Sequence, residues 1–540
     1  MTARIQGWLT PAPGGLVSAL PRAWRVAAAG LIAGAGLALA AQFAVYVDYA
    51  AALFRFPYDY DQGEGFELYD TVLHAQGEWP YRDSQVFPYY TSIYPPLFHL
   101  LTVPLVWAFG PQLWTGRLVS FTASLVGAAA LAWGVRRTGA PRWISVFSGL
   151  AWLASNYTFH IGPLFRQHLT MVVFEILAVV ALAELARDPL RPWRTQRAFW
   201  LGGALLLAAG FTKQLALATV LGALAFLFLR GPRRAVFTGL GLALIAGALY
   251  GLIDLATDGQ WTVSIIRANL NAFDLAQAVS FYKQWLGLHL LLAGVALARL
   301  VYETYPGRLS IYAVWFAAAL INGLLSGKFG AGESYFVTAT AAACALSGVA
   351  LGRLWAAAPR WAGAGRSGAL ALAVLAPLLY LAQVRLTLHL PTTGPVYGPV
   401  ARLLGVANES GYYDSQGYTQ LGPHPTAADI AAGDQIAALA RAADGPVFSE
   451  EAGFMFRAGK PVVTNPFPQL VMYQAGLFDP TDEIAMIARQ GFGLVILRAQ
   501  FYPPPVLQAL GAHYQPLTEI RMNGFLYRLL EPRPAAGGPP

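Results

Sequence analysis

Residues 58–83 of the chain are YDYDQGEGFELYDTVLHAQGEWPYRD, and they come shortly after the first long apolar segment, residues 24–47. The stretch contains seven carboxylates and one arginine, Arg82, although the 540-residue chain has a formal net charge of +8. The chain is basic and apolar overall, yet its acidic residues are concentrated just after the first hydrophobic segment. This concentration indicates a polar loop with a function of its own. Residues 48–94, which contain this stretch, are called the acidic loop below.

The composition predicts a membrane protein. Hydrophobic residues make up 56% of the chain and charged residues only 12%, whereas soluble domains have about 25% charged residues. Apolar runs near the length of about 20 residues that a helix needs to span a bilayer recur from residue 24 to about residue 389. We therefore predict an α-helical multi-pass membrane domain over residues 1–390 and a small α/β domain over residues 391–540.

Six arginine clusters set the predicted topology, because cytoplasmic loops collect Lys and Arg. If all six are cytoplasmic, the chain crosses the membrane about 11 times. The first span is expected to stay uncleaved. The short apolar segment 95–109 is expected to lie at the outer interface. The C-terminal domain and the acidic loop then lie outside the cytoplasmic membrane. The clusters are Arg22 and Arg25; Arg136, Arg137 and Arg142; Arg187, Arg191, Arg194 and Arg197; Arg230, Arg233 and Arg234; Arg299 and Arg308; Arg353, Arg360 and Arg366.

Two classes of chemistry find no support in the residues. The single cysteine, Cys344, lies in an apolar segment, so neither a disulfide framework nor a thiolate metal site is expected. The arginines are spread over short loops and form no continuous basic patch, which argues against nucleic acid as a partner.

Within the acidic loop, residues 65–75 have helical periodicity and predict an amphipathic helix lying on the outer leaflet. Asp59, Asp61 and Glu64 precede this helix, beside Gly63 and Gly65. Glycines allow a ligand to approach the backbone closely. A carboxylate at this place is suited to act as a base. The competing interpretation is a solvated loop without catalytic function.

Several motifs resemble those of the GT-C superfamily of membrane glycosyltransferases, particularly bacterial relatives of protein O-mannosyltransferases and lipid A aminoarabinose transferases. The first loop and the segments after it supply D-x-G-E-G, G-x-x-P-Y-R-D, Y-P-P-L and F-G-P-x-x-x-x-G-R. The later hairpin turns supply F-R-Q-H, F-T-K-Q, A-N-L-N and S-Y-F. The resemblance covers roughly residues 24–390 and implies a GT-C-like fold. These motifs begin at Asp61, Gly77, Tyr94, Phe109, Phe165, Phe211, Ala268 and Ser334.

The resemblance implies transfer of a sugar from a polyprenyl-phosphate carrier to a glycan, lipid or protein acceptor outside the membrane. A carboxylate of the first loop would be the general base. The family's adjacent Asp-Glu pair falls here on Gly63-Glu64, with Asp61 two residues earlier, so that either Asp61 or Glu64 is the candidate base. The turn that often has Arg-x-Asp has Arg166 and His168 instead.

Such a transfer also needs cations that stabilise the departing phosphate. Four cations at predicted outer turns are assigned to the donor phosphate, and five further residues to substrate binding. No residue is assigned as a metal ligand, although Asp59, Asp61 and Glu64 together offer oxygen ligands for Mg²⁺ or Mn²⁺. The phosphate set is Arg166, Lys213, Lys328 and Arg267; the substrate set is Asp59, Tyr94, His168, Gln214 and Glu333.

Two other functions stay open. A transporter would also contain buried charges, but transporters usually have internal repeats and polar groups near the midplane, whereas here the polar turns lie on one face. A GT-C-like scaffold without activity is the other, because the Asp-Glu and Arg-x-Asp sites are altered. In the C-terminal domain, Glu450 and Glu451 are expected at the surface, and Tyr412, Tyr413 and Tyr418 are candidates for sugar or interface contact.

Overall fold

A computed structural model describes residues 20–185, 192–305, 309–360, 366–387 and 424–534, together with positions 307, 399, 402 and 403. The predicted domain boundary near residue 390 lies outside the described residues, as do Arg187, Arg191, Arg308 and the three tyrosines 412, 413 and 418.

The membrane domain is built from helices, 15 of them within the described residues. They are α1 Arg22–Arg55, α2 Glu64–Ala75, α3 Leu97–Phe109, α4 Leu113–Arg137, α5 Arg142–Leu153, α6 Asn156–Ile161, α7 His168–Leu185, α8 Arg197–Thr212, α9 Leu217–Phe228, α10 Pro232–Ala256, α11 Gln260–Ile265, α12 Leu275–Thr304, α13 Ile311–Asn322, α14 Val337–Ala357 and α15 Arg366–Leu386. Short 3₁₀ turns occur at the helix ends, among them Gln214–Ala216, Arg267–Asn269, Gly323–Gly327 and Glu333–Phe336.

Seven of these helices, with their flanking turns, are long and apolar enough to cross a bilayer: α1, α4, α7, α10, α12, α14 and α15. The other predicted spans fall on the shorter helices α5, α8, α9 and α13. Helix α3 has 13 residues, about 20 Å at 1.5 Å per residue, and α5, α9 and α13 have 12 each, so all four are shorter than the bilayer core of about 30 Å. Helix α14 lies at the centre of the bundle, where nearly all of its residues are buried. Helix α10 lies at the periphery, where Ala235 is its one buried residue.

The C-terminal domain contains a four-stranded sheet and five helices in its described residues. Its elements are α16 Ala427–Ala442, β1 Val447–Ser449, α17 Gly453–Ala458, α18 Pro466–Gln474, α19 Thr481–Ala488, β2 Leu494–Leu497, α20 Pro504–His513, β3 Tyr514–Met522 and β4 Phe525–Pro532. The strand order is β1-β2-β4-β3, in which β1 and β2 are parallel and the other two pairs antiparallel. The predicted fold class, a helical membrane domain followed by a small α/β domain, is confirmed.

Local sequence explains the start of this domain and its central strands. Thr426 and Asp429 form a reciprocal capping box at the start of α16, which satisfies two backbone N–H groups that a helix start otherwise leaves unpaired. Every residue of β1 and β2 is buried, as expected for parallel strands made of continuous apolar runs.

The C-terminal domain packs directly on the acidic loop. Asn465 Nδ2 donates to the carbonyl of Thr91 at 3.2 Å, and Gln469 Nε2 donates to the carbonyl of Tyr89 at 3.0 Å. These side chains satisfy backbone groups of a loop that has little regular structure, so the domain fixes the shape of the loop.

Candidate active site

Helix α2 begins at Glu64, and a network around this residue fixes its start. The Glu64 carboxylate is fully buried and receives two hydrogen bonds from Arg117, Nε to Oε1 at 2.8 Å and Nη2 to Oε2 at 2.7 Å. The backbone N–H groups of Tyr60 and Phe165 donate to the same carboxylate at 2.9 and 2.7 Å. Burial opposes ionisation, but Arg117 and these N–H groups hold the pKa of Glu64 below its usual value.

Arg117 in turn fixes the chain before the helix. Its Nη1 donates to the carbonyls of Leu53 and Phe56 at 2.5 and 2.6 Å, and its Nη2 donates to that of Tyr58 at 2.8 Å. With its bonds to Glu64, the guanidinium uses all five of its N–H groups. Glu64 is therefore placed to hold the loop, and it does not line the cavity described below. The sequence motif contained Arg117 but gave no indication of this partner.

Asp59 connects the loop to the C-terminal domain. Its two carboxylate oxygens accept from Gly65 N at 2.6 Å and from Gly453 N at 3.0 Å. A Cβ at Gly65 would lie 2.3 Å from Gly453 N, so this close approach requires glycine. Burial raises the pKa of Asp59 to about 6. The structure turns Asp59 away from the cavity, and its expected contact with substrate finds no geometric support.

Asp61 has the opposite orientation and faces the cavity. Its Oδ2 accepts from Arg166 Nε at 2.5 Å, and Arg166 Nη1 lies 3.2 Å from Glu67 Oε1. Arg166 also donates to the carbonyl of Gln62. Burial raises the pKa of Asp61, and Arg166 opposes the rise. Arg166 thus bridges Asp61, which precedes α2, and Glu67 in the first turn of α2.

A cavity of about 390 Å³ lies between the acidic loop, the turns of the helical hairpins and residues 465–468 of the C-terminal domain. Its size falls within the range of small-molecule sites. Eight of the 11 residues predicted for the site line it: Asp61, Tyr94, Arg166, His168, Lys213, Gln214, Lys328 and Glu333. The predicted convergence of the turns on one face is therefore observed as a shared cavity.

Lys213 is the most deeply buried of the cations that line the cavity. Its Nζ lies 2.5 Å from His168 Nε2 and 4.9 Å from the centre of the Tyr94 ring. Lys213 occupies the turn between α8 and the following 3₁₀ helix, where burial lowers its pKa to about 7. Lys213 lines the cavity and has no carboxylate at hydrogen-bond distance among the described residues.

The remaining predicted residues divide between the cavity and the surface. Glu333 Oε1 lies 3.1 Å from His160 Nδ1, and Gln214 Nε2 donates to the carbonyl of Ile93 at 3.1 Å. Lys328 lines the cavity, and burial lowers its pKa. Arg267 is exposed and does not line the cavity, so its assignment to the donor phosphate is not supported.

Two predictions about surroundings need correction. Helix α2 forms where expected, but its polar side chains Glu67 and Asp70 are buried rather than solvated, because His99 of α3 and neighbouring polar side chains contact them. Glu450 and Glu451 are also buried, not exposed. Glu450 accepts from the backbone N–H groups of residues 498, 499 and 501, and Glu451 from the Tyr527 hydroxyl at 3.0 Å.

Asp59, Asp61 and Glu64, which together offer oxygen ligands for a metal ion, have separate partners in the structure. In the described part of the chain, the group whose atoms lie within 4.8 Å of one another is Glu67, Asp70 and His99. This group is not recognisable in the sequence, since His99 is 29 residues from Asp70 and lies on another helix. A histidine in an otherwise apolar α3 was the one available signal.

Solved structures of ArnT from Cupriavidus metallidurans are similar to this chain over 93% of its length. The TM-score is 0.56 for ArnT bound to undecaprenyl phosphate and 0.58 for its apo state, at 16% and 15% identity, over 99% and 98% of those chains. The apo oligosaccharyltransferase from Archaeoglobus fulgidus matches with a TM-score of 0.50 and 10% identity, over 88% of this chain and 73% of that one. This chain has the GT-C fold.

The GT-C fold predicted from the motifs of the acidic loop and hairpin turns is thereby confirmed. No protein-family model matches the chain, and no curated protein matches it by sequence. At 10–16% identity the likeness establishes the fold, and function has to be argued from the site.

Proposed function

We propose that the protein transfers a glycosyl group from a polyprenyl-phosphate-linked donor to an acceptor, with Asp61 as the general base. The observation that carries the proposal is the shared cavity, in which the Asp61 carboxylate and the cations Arg166, Lys213 and Lys328 meet. The transferred group is a hexosyl or pentosyl unit, and the acceptor is a glycan, a lipid or a protein.

The chemistry assigns a separate task to each charge. Asp61 takes the proton from an acceptor hydroxyl, and the acceptor oxygen forms a bond to the anomeric carbon. The bond from that carbon to the phosphate oxygen breaks, and polyprenyl phosphate leaves with the electron pair. A positioned base contributes about 10² to 10⁴ in rate. Because burial raises the pKa of Asp61, its carboxylate is a stronger base than an exposed one.

The leaving phosphate needs fixed positive charge near it. Lys213, buried and without a carboxylate partner among the described residues, is the principal candidate, with Lys328 at the rim. Arg166 has a double role, since it is bound to Asp61 and Glu67 and also lines the cavity. Preorganised cations in an enclosed site stabilise such charge far better than water does.

The solved structures support this assignment at the level of the fold. ArnT was crystallised with undecaprenyl phosphate, and the archaeal neighbour is an oligosaccharyltransferase. The positive-inside distribution of arginines supports a location of the cavity and the C-terminal domain on the outer side of the cytoplasmic membrane.

The test is to incubate the full-length protein, purified in detergent, with a panel of polyprenyl-phosphate sugars and candidate acceptors, and to measure released polyprenyl phosphate. We expect release with at least one donor, and loss of release in Asp61→Asn while the donor still binds. Donor binding without release in the whole panel would favour the inactive scaffold. No binding of any donor would contradict the proposal.

A further inference from the structure

Glu67, Asp70 and His99 form a cluster where α2 packs against α3, and Glu67 and Asp70 also line the cavity. Glu67 is 2%, Asp70 3% and His99 1% exposed. His99 Nε2 lies 3.4 Å from Glu67 Oε2 and 3.7 Å from Asp70 Oδ2. Neither His99 Nε2 nor Glu67 Oε2 has a hydrogen-bond partner in the described structure. Two buried polar atoms therefore face each other across a gap.

The tautomer of His99 makes this gap unusual. The Thr71 hydroxyl donates to the carbonyl of Glu67 at 2.9 Å, so its oxygen is left to accept from His99 Nδ1, 3.1 Å away. A neutral imidazole with its proton on Nδ1 presents a lone pair at Nε2. That lone pair is directed at two carboxylates, and three acceptors without a donor between them repel one another.

Both carboxylates of the cluster also have hydrogen-bond donors outside it. Arg166 contacts Glu67 Oε1 at 3.2 Å, and Tyr90 and Ser92 donate to the two oxygens of Asp70 at 2.7 and 2.5 Å. Metal ligands in proteins are commonly held by such outer hydrogen bonds, including one from the second nitrogen of a histidine.

We infer that Glu67, Asp70 and His99 bind a divalent transition-metal ion, Zn²⁺ or Mn²⁺. One imidazole nitrogen and two carboxylate oxygens suit these ions, whereas Mg²⁺ prefers oxygen ligands alone. Two carboxylates and a neutral histidine also balance the charge of a divalent cation. The three ligand atoms lie within 4.8 Å of one another, close enough to share one ion.

An ion at this place would lie at the cavity wall, because two of its ligands, Glu67 and Asp70, line the cavity. It would hold Glu67 Oε2, while Glu67 Oε1 holds Arg166, and Arg166 holds Asp61. The inference concerns metal binding alone and does not depend on the proposed transfer reaction.

The experiment measures the metal content of the full-length protein. Chelator-treated protein is dialysed against Zn²⁺, Mn²⁺ or Mg²⁺ in separate arms, and bound metal is determined by mass spectrometry. We expect about one equivalent of Zn²⁺ or Mn²⁺ and far less Mg²⁺. His99→Gln and Glu67→Gln should each lower the affinity at least about ten-fold.

His289→Gln is the matched control. His289 is also a buried histidine, but both of its ring nitrogens have partners, Ser155 Oγ at 2.8 Å and the carbonyl of Trp285 at 3.0 Å. This variant should keep the metal. Size-exclusion profiles of all variants verify that they are folded.

X-ray absorption of the Zn²⁺-loaded wild-type protein gives an answer without any variant. One imidazole and oxygen ligands near about 2.0 Å are expected. Two imidazoles would indicate His160 and His168 in the cavity and would overturn the assignment. Absence of bound metal, or full retention in His99→Gln, would overturn it as well and leave a water molecule or a shared proton in the gap.

Discussion

Arg166 Nε donates to Asp61 Oδ2 at 2.5 Å and joins the turn after α6 to the acidic loop, 105 residues earlier in the sequence. The pair lies at the cavity wall, so the candidate base is positioned by a cation that also faces the substrate space. Glu64, three residues away, has Arg117 as its own buried partner. The two rival bases thus differ in which arginine each contacts, and this difference can be tested.

Asp61→Asn should lower the transfer rate by about 10² or more, because the amide keeps the shape of the side chain but does not accept the acceptor's proton. Donor binding should change little. Rates of polyprenyl phosphate release and donor affinities of the two proteins, measured in parallel, check this. A normal rate in Asp61→Asn would remove Asp61 from the mechanism.

Glu64→Gln should act mainly on stability. It leaves the fully buried Arg117 guanidinium without its carboxylate, a loss of about 3 to 5 kcal/mol for a buried pair. Thermal unfolding in detergent would measure the effect. Glu78→Gln is the control, since Glu78 pairs with Arg82 at a side-chain exposure of 54%, and it should unfold like the wild type. Unchanged stability but lost transfer in Glu64→Gln would make Glu64 the base.

Lys213→Ala should weaken donor binding through the loss of one charge-assisted contact worth about 1.5 to 3 kcal/mol, or roughly 10- to 150-fold in affinity. Arg267→Ala removes an exposed cation outside the cavity and should leave donor affinity unchanged. Titration of both variants with the same polyprenyl-phosphate sugar provides the comparison. Equal affinities would assign Lys213 to packing.

Donor binding should also depend on pH near neutrality. Lys213 has a pKa lowered to about 7 by burial, so it is charged below pH 7 and increasingly neutral above it. Affinity for the anionic donor should therefore fall as pH rises from 7 to 9. Lys213→Arg keeps its charge over this range and should remove the pH dependence. A wild-type affinity that is constant from pH 6 to 9 would contradict this role.

Gly453→Ala should weaken the packing of the C-terminal domain on the acidic loop. A Cβ at this position would lie 2.1 Å from Asp59 Oδ2, too close for any real contact. The control is Gly511→Ala in α20, where nothing lies within 4 Å and alanine favours the helix. Limited proteolysis and thermal unfolding should show Gly453→Ala to be destabilised and Gly511→Ala to be at least as stable as the wild type.

The predicted topology can be tested with single cysteines, because the native Cys344 is buried. Asp83→Cys and Arg194→Cys both replace exposed residues. In intact cells a membrane-impermeant thiol reagent should label the first and not the second. The opposite pattern would place the cavity on the cytoplasmic side.

The sequence by itself determined the class of the fold and most of the charged residues that line the cavity. Composition and apolar runs indicated a multi-pass helical bundle, since in a bilayer only structures that pair all their backbone groups internally can span. The motifs of the acidic loop and the hairpin turns indicated the GT-C fold and eight of the residues that line the cavity. These properties depend on local patterns, which sequence retains.

The tertiary structure decided which charges meet. Asp59, Asp61 and Glu64 look equivalent in the sequence, yet one contacts the C-terminal domain, one the cavity and one Arg117. Glu67 and Asp70 were expected to face solvent, but inside the protein His99 contacts both of them and Arg166 contacts Glu67. Partners far apart in the sequence set the ionisation and role of a carboxylate, and neither composition nor periodicity contains that information.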